Sequence, residues 1–505
     1  MSEPRYPFFE PLDPPRRCQV IAHRGAGLLA PPNSPPAIEQ AIGDLCEWIE
    51  IDVRLTRDGQ HVLCHAETVD ACSDGHGRVA DLTWDEIKRL DTGAWFAKRY
   101  SGTRMLGLSD CLSLTKGRAN LWLDCKQIDP ARLLEEIHSA DMERQVLIAA
   151  PPDVLRKLRE LSGGRMAVSL AWSANAEFEK QVDELRPAAV EIAASELSRE
   201  RVAQLHARGV RVIANCLGAA NDCRANWLLA LANEADLVQT DLPEEFLATD
   251  IFHRERAWPV QFSLHRGALR YAPENTLPAY DKGVRLGAHY QEFDVRSTLD
   301  QHCYLLHDAT LNRTTSGEGP ISQARADAIE RLDAGGWFAP QFRGTGVPSL
   351  DDFLAHIQER SLLYFDAKAI SPEHLARALE RHKLTERAVV FQGPQYLARL
   401  RRLAPTIRVM PPLYRADALD ALVERLHPYA LDVSWEALSA ELIRQCHDRG
   451  VRVFADAMGE TDRAESHLQA IEWGIDLIQT DRPTQLYRAV ELYCAKHPQP
   501  AAAAH

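Results

Sequence analysis

Glu292 and Asp294 stand two apart in the apolar run YQEFDV, and Asp366 and Lys368 stand two apart in YFDAK. In a β-strand, residues two apart share a face, so each pair presents its polar groups on one side. His265 and Arg266 close the run QFSLHR, and His307 and Asp308 close CYLLHD. Three carboxylates brought to one point repel each other and are stable together only around a cation. All-oxygen ligation selects a hard ion such as Mg2+ or Ca2+. That ion, with Arg266 and Lys368, makes an electropositive focus suited to phosphate oxygens. Two histidines on opposite sides serve as general base and general acid. Such a set fits cleavage of a phosphate ester. Each piece alone has a plainer reading. A histidine at a strand end is usually structural, and an E-x-D on a strand is usually a solvated face. PENT, residues 273–276, is turn chemistry in which Asn275 or Thr276 N-caps a helix. The order of the pieces at successive strand ends favours chemistry.

The whole set recurs. His265 lies 242 positions after His23, and the same offset separates Glu292 from Glu50, Asp294 from Asp52 and His307 from His65. It also separates Arg266 from Arg24, Asp366 from Asp124 and Lys368 from Lys126. Later the offset drifts to 241 between Gly209 and Gly450, and to 240 between Asp241 and Asp481, as two single-residue deletions require. A repeat this long is a duplicated domain and not a solenoid unit. The boundary falls in the charged, Pro-containing stretch 244–259, giving domains at 1–250 and 251–505.

Each copy alternates short β-rich runs with amphipathic helical stretches. In the second copy QFSLH, YQEFDV, CYLLHD, LLYFDAK, RAVVFQG, TIRVMPPL, YALDVSW, VRVFAD and IDLIQTD read as strands. SPEHLARALERHKL and AELIRQCHDRG read as helices. About eight strand–helix units per copy predict an α/β fold of two tandem TIM (β/α)8 barrels, each with a small insertion after the second-strand region. A doubly wound open sheet is the alternative from pattern alone, weakened because no GxGxxG follows a first strand. In a barrel, the carboxyl ends of the strands form the catalytic rim, which is where these polar residues fall.

With 505 residues, 45% hydrophobic and 26% charged, the composition is that of a globular protein long enough for two cores. The net charge of −14 repels nucleic acid, which is excluded as a partner. The first residues carry no apolar core of signal-peptide length, and no run reaches about 18 apolar residues, so no membrane-spanning segment is expected. Eleven scattered cysteines without CxxC pairs suit a reducing compartment. The expected location is the cytoplasm. The tail QPAAAAH, residues 499–505, reads as frayed.

With HRG, PENT, ExDV, HD and NRTT in this order, the sequence resembles the glycerophosphodiester phosphodiesterase family, over most of residues 262–485. The resemblance implies a TIM barrel with an insertion at about 308–347. It implies divalent-metal-dependent hydrolysis of a small-molecule glycerophosphodiester to glycerol 3-phosphate and an alcohol. It makes His265 and His307 the acid–base pair, Glu292 and Asp294 metal ligands, and Arg266 a phosphate ligand. The family's third metal carboxylate is usually a Glu in an ExK pair. Here it is Asp366 followed by Lys368, as in sphingomyelinase D-type relatives, so the metal would sit nearer the strand or bind through water. The expected path is attack by the glycerol 2-hydroxyl with later opening of a cyclic phosphate by water. Direct attack by water is the alternative, and a lyase that stops at the cyclic phosphate is a further one.

The first copy keeps His23 and His65, Arg24 and Lys126, and Glu50, Asp52 and Asp124, so every group for acid–base, phosphate and metal work is present by type. Around them Pro32 replaces Glu274, Ala66 replaces Asp308, and residues 71–73 (ACS) replace 313–315 (RTT). Loss of groups that orient the site weakens catalysis. The first copy therefore reads either as a weaker or differently selective enzyme, or as a non-catalytic module that binds phosphate or packs in an intramolecular barrel–barrel contact. A scaffold with both barrels inactive is the reading from another class. Eight of the eleven cysteines lie in this copy, including Cys64 and Cys72. They read as buried reduced thiols, with a soft-metal site as the alternative.

Overall fold

The computed structural model describes residues 6–255 and 257–498. The Ala-rich tail lies outside the described residues. The chain divides into two compact units, Met1–Asp250 and Ile251–His505.

The strands of the first unit are β1 (Gln19–Ala22), β2 (Trp48–Leu55), β3 (His61–Leu63), β4 (Asn120–Cys125), β5 (Val146–Ala149), β6 (Ala167–Ala171), β7 (Ala189–Ala193), β8 (Arg211–Asn215) and β9 (Leu237–Thr240). Eight of them pair in parallel in chain order, and β1 pairs with both β2 and β9, so the sheet closes into a barrel. Strand β3 pairs antiparallel with β2 and stands off the ring.

The second unit repeats this with β10 (Gln261–Leu264), β11 (Tyr290–Ser297), β12 (Cys303–Leu305), β13 (Leu362–Ala369), β14 (Ala388–Phe391), β15 (Arg408–Met410), β16 (Pro412–Leu413), β17 (Ala430–Val433), β18 (Arg452–Ala457) and β19 (Leu477–Thr480). The predicted strand TIRVMPPL is split into β15 and β16 at Pro411, because proline brings no N–H to the ladder. The ring still closes: β15 pairs with β14, β16 with β17, and β10 with β19. One expectation is refined. CYLLHD forms β12, which is antiparallel to β11 and is not a barrel strand. An apolar run of that length reads alike in both settings.

Helices fill the connections. Pro372–Arg381 and Ala440–His447 fall where the sequence predicts them. Several open with Ser or Asp followed by Pro, where the proline's missing N–H would be unpaired anyway. Ser34, Asp129 and Ser371 cap such starts by accepting from the N–H of Ala37, Ala131 and His374.

Strands buried on both faces explain the near-continuous apolar runs. Along β2, Ile49, Ile51 and Val53 are fully buried, alternating with Trp48, Glu50 and Asp52 on the other face. Trp48 joins Trp122, Leu147, Ala189, Ile213 and Leu237 in the core of the first barrel. The second barrel matches it with Tyr290, Tyr364, Val389, Ala430, Phe454 and Leu477. Aromatic residues thus fill one end of each interior, and the carboxylates on the same strand faces are left at the other. Each insertion has a small core of its own, around Val62, Val79 and Ile87 in the first unit and Tyr304, Ile321 and Ile329 in the second.

Candidate active site

Strand register brings the acids together. Asp52 is the direct cross-strand partner of Asp124, and Asp294 that of Asp366. Glu50 and Glu292 lie one inward-facing position earlier on β2 and β11. In each barrel one oxygen from each of the three carboxylates lies within 4.8 Å of the others. Glu292 and Asp294 are buried, as are Glu50 and Asp52. Burial pushes the Glu292 carboxyl well above the usual carboxylate range, and Asp294 and Asp366 push it further. Glu50 is raised in the same way by burial, Asp52 and Asp124. Three clustered carboxylates that offer only oxygen ligands are compatible with a hard divalent cation site.

The lysines lean over the clusters. Lys368 Nζ is 2.5 Å from Asp366 and 3.5 Å from Asp294, and Lys126 stands 2.5 Å from Asp124 and 3.4 Å from Asp52. Arg24 and Arg266 occupy the left-handed region, with φ of 55° and 52°, a conformation that costs about 1–3 kcal/mol for such residues. It turns their backbone N–H onto a carboxylate: Arg24 N donates to Glu50 at 3.0 Å and Arg266 N to Glu292 at 2.6 Å. Their guanidinium Nε atoms lie 3.2 Å from Asp52 and 3.5 Å from Asp294. The following Gly25 and Gly267 also have positive φ, and a Cβ there would come within 2.7 Å of the Ala37 backbone and 2.9 Å of the Ala279 side chain. The glycine of HRG is therefore required by close packing of the first helix.

Sequence reasoning missed several supports. His265 Nδ1 is 3.0 Å from Asp481, and His23 Nδ1 is 2.6 Å from Asp241. These acids directly follow the last barrel strands, in the QTD triplets seen only as markers of the repeat. Behind them Asp462 and Asp222 accept the N–H of Asp481 and Asp241, at 2.9 and 2.6 Å. Asn275 is not the N-cap; Thr276 is. Asn275, at φ 56°, clasps Asp294: its Nδ2 donates to the carboxylate at 2.8 Å and its Oδ1 accepts the Asp294 N–H at 3.2 Å. Asn33 clasps Asp52 in the same way, at 2.9 and 3.0 Å. Asn tolerates this backbone region better than most residues.

His307 follows β12 and reaches the rim from the insertion. Its Nδ1 is 2.8 Å from Asp308, Asp308 is held by Arg313 at 2.7 Å, Arg313 grips Glu274, and Glu274 meets Arg266 at 3.0 Å. His65 takes the matching place in the first barrel, where burial draws its imidazole below the ordinary histidine value. Its carbonyl accepts from Arg54 as that of His307 does from Arg296. Deeper in, Glu191 and Asn215 of the first barrel are bonded at 2.5 Å, and Asp432 and Asp456 hold the matching positions in the second. A cavity of ≈730 Å³ opens over the first cluster, lined by Trp122, Ala149, Ser169, Glu191 and Asn215 among others.

By sequence, the chain is similar to a glycerophosphodiester phosphodiesterase of Caldanaerobacter subterraneus subsp. tengcongensis, 31% identical over 240 residues, covering 45% of this chain and 96% of that one. It is also similar to a glycerophosphodiester phosphodiesterase of Bacillus subtilis, 27% identical over 254 residues, covering 45% and 86%. Among solved structures it is similar to a glycerophosphodiester phosphodiesterase from Agrobacterium tumefaciens, with a TM-score of 0.43 and 31% identity, covering 45% of this chain and 99% of that one. The sequence model of one family matches twice, over residues 23–244 and 265–485, and that double match spans most of the chain. The chain thus belongs to the glycerophosphoryl diester phosphodiesterase family, as a tandem pair of its barrels.

Proposed function

We propose that the second barrel hydrolyses glycerophosphodiesters to glycerol 3-phosphate and an alcohol. The observation that carries this reading is the convergence of Glu292, Asp294 and Asp366 within 4.8 Å, with His265 and His307 at the same rim. The names of the relatives support the substrate class.

Glu292, Asp294 and Asp366 would hold Mg2+ or Ca2+, and the bound cation would draw charge from the phosphate oxygens. Arg266 and Lys368, already beside the carboxylates, bind and orient the phosphate. Asp481 grips His265 at Nδ1 and Asp308 grips His307 at Nδ1, which leaves Nε2 of each ring as the atom that moves a proton. One Nε2 accepts the proton of the attacking hydroxyl, and the other delivers a proton to the leaving alcohol oxygen. The attacking hydroxyl is the glycerol 2-hydroxyl, which forms a cyclic phosphate that water then opens with the histidines in reversed roles. Attack by water from the start would use the same atoms. The first barrel holds the same groups without the braces on His65, and we assign it the weaker activity.

Released glycerol 3-phosphate, coupled to its dehydrogenase, tests this reading with glycerophosphocholine and other head groups, with and without EDTA. His307→Ala and Glu292→Ala are each expected to abolish most metal-dependent turnover. Wild-type protein that turns over no glycerophosphodiester in Mg2+ or Ca2+ would overturn the reading. Phosphorus NMR separates the two paths by the presence of a cyclic intermediate.

A further inference from the structure

Cys64 directly follows β3 and precedes His65, and Cys72 ends the short 3-10 turn Val69–Ala71. Their sulfurs lie 3.8 Å apart and share a hydrogen bond. A disulfide spans about 2.05 Å, so closure needs the two sulfurs to approach by only about 1.8 Å. Cys64 is buried and Cys72 half-buried. A small cavity of ≈140 Å³ beside them is lined by both cysteines, His65, Ala66, Ala71 and Arg24 among others, which gives a small oxidant a way in. Leu306 and Thr314 hold the matching positions in the second barrel, so the pair is private to the first. Cys111 and Cys125 differ in kind: they are wholly buried, and burial pushes their thiols up. The shared hydrogen bond draws the Cys72 thiol down against the pull of burial and pushes the Cys64 thiol up, which makes Cys72 the nucleophile of the two.

We propose that Cys64 and Cys72 form a peroxide-installed, thiol-reversible disulfide that repositions His65 at the mouth of the first barrel. The Cys72 thiolate attacks a hydroperoxide, the O–O bond breaks, and Cys72 becomes a sulfenic acid as an alcohol, or water from hydrogen peroxide, departs. The Cys64 sulfur then attacks the Cys72 sulfur, and the sulfenic oxygen leaves as water with the thiol proton. The two thiols give up two electrons and the peroxide takes them. The movement is passed to His65 because it is bonded in the chain to Cys64. Its ring also lacks the aspartate brace that Asp308 gives His307, since Ala66 stands there. The disulfide does not depend on the first barrel being catalytic.

The test treats the full chain with hydrogen peroxide, alkylates it under denaturing conditions and maps its peptides. Expected is a linked Cys64–Cys72 peptide about 2 Da lighter than the reduced pair, lost on dithiothreitol and absent in Cys72→Ser. The His65 ring resonance, assigned with His65→Gln, is expected to shift on oxidation in wild type and not in Cys72→Ser. Two alkylatable thiols after treatment, or Cys72 driven to sulfinic acid without a link, would overturn the proposal. A disulfide that leaves the His65 resonance unmoved would overturn its coupling to the site.

Discussion

Arg313 donates to both oxygens of Glu274, at 2.7 and 2.8 Å, and the same guanidinium grips Asp308 through Nε at 2.7 Å. The Asp308 carboxyl is thereby held far below the usual range, first by Arg313 and then by His307. Burial would raise the Glu274 carboxyl, but Arg313 and Arg266 outweigh it. One hydrogen-bonded chain thus runs from the His307 ring to the Arg266 guanidinium. In the first barrel Ala66, Ala71 and Pro32 replace all three intermediates, Asp308, Arg313 and Glu274. Their joint loss has a physical reason. Removing one partner of a charged network leaves the others unpaired, whereas removing all of them leaves no orphan.

The network predicts non-additive kinetics in the second barrel. Arg313→Ala should lower kcat by about 10–100-fold, the range typical for a group that orients a reacting side chain. Glu274→Ala should do nearly the same, and the double variant little more than either. Steady-state kinetics of the three variants in a His65→Ala background decide it. Additive losses would mean that Arg313 and Glu274 act separately.

The converse holds for the first barrel. In a His307→Ala background, restoring the chain with Pro32→Glu, Ala66→Asp and Ala71→Arg together should raise residual turnover by about 10-fold or more. Ala71→Arg alone should not, because its carboxylate partners are missing. A triple variant that folds, by circular dichroism, yet gains nothing would show that His65 is limited by something other than its orientation.

Asn275 is expected to act on cation affinity rather than on the proton steps. It makes two hydrogen bonds to Asp294 from a left-handed turn. Asn275→Ala frees the Asp294 carboxylate and should weaken Mg2+ or Ca2+ binding by about 10–100-fold, read by calorimetry on Asp52→Asn protein, in which the first cluster is disabled. Raised cation concentration should restore much of the activity. Lost turnover with unchanged affinity would assign Asn275 to something else.

What was legible in the sequence followed from short-range periodicity. Glu292 and Asp294 share a strand face because side chains alternate, and no tertiary information is needed to see it. Asp481 was not legible as the partner of His265, because 216 positions separate them and only ring closure between β10 and β19 brings them together. Asn275 was read as turn chemistry, which its conformation is, but its grip on Asp294 depends on how the turn docks against β11. Asp432 and Asp456 sit in ordinary apolar runs, and nothing local distinguishes them from a polar residue at a strand end. Pro411 does announce a broken ladder, yet ring closure around the break depends on the neighbouring strands.

The acids inside the second barrel set the pH dependence of its cation-free stability. Burial, and then Asp366, push the Asp432 carboxyl up to about 7, and burial together with Asp432 raises Asp456. The ordinary aspartate value is 3.8, so between these limits the folded protein holds a proton that the unfolded chain releases. This contribution to stability is therefore full below about pH 4 and is lost as pH rises through about 7. A divalent cation on Glu292, Asp294 and Asp366 would replace bound protons and relieve the same repulsion. The second barrel's Tm in EDTA should fall between about pH 5 and pH 8, and Mg2+ or Ca2+ should raise it more at the higher pH. Asp456→Asn, which copies Asn215 of the first barrel, should flatten the fall. A cation-induced shift of equal size at both pH values would contradict this account.

The two barrels should differ in the leaving alcohol that each admits. Ala149 and Ser169 are cross-strand partners in the first barrel, and Phe391 and Met410 in the second. Ala149 packs on the core around Trp122, Ser169 accepts the Trp122 Nε1–H at 2.9 Å, and the second pair packs around Tyr364. Small side chains leave the first barrel its cavity of ≈730 Å³ beside Lys126; large ones stand at the same place in the second. The first barrel should therefore tolerate a bulkier leaving alcohol. With His65→Ala protein, Phe391→Ala combined with Met410→Ser should raise kcat/KM for a bulky aryl alcohol ester relative to glycerophosphoethanolamine, by about 10-fold or more. The reverse pair, Ala149→Phe with Ser169→Met in a His307→Ala background, should remove whatever preference for bulk the first barrel shows. Ratios that stay put in both experiments would mean that the leaving alcohol points away from these strands, toward the insertion that carries His65 and His307.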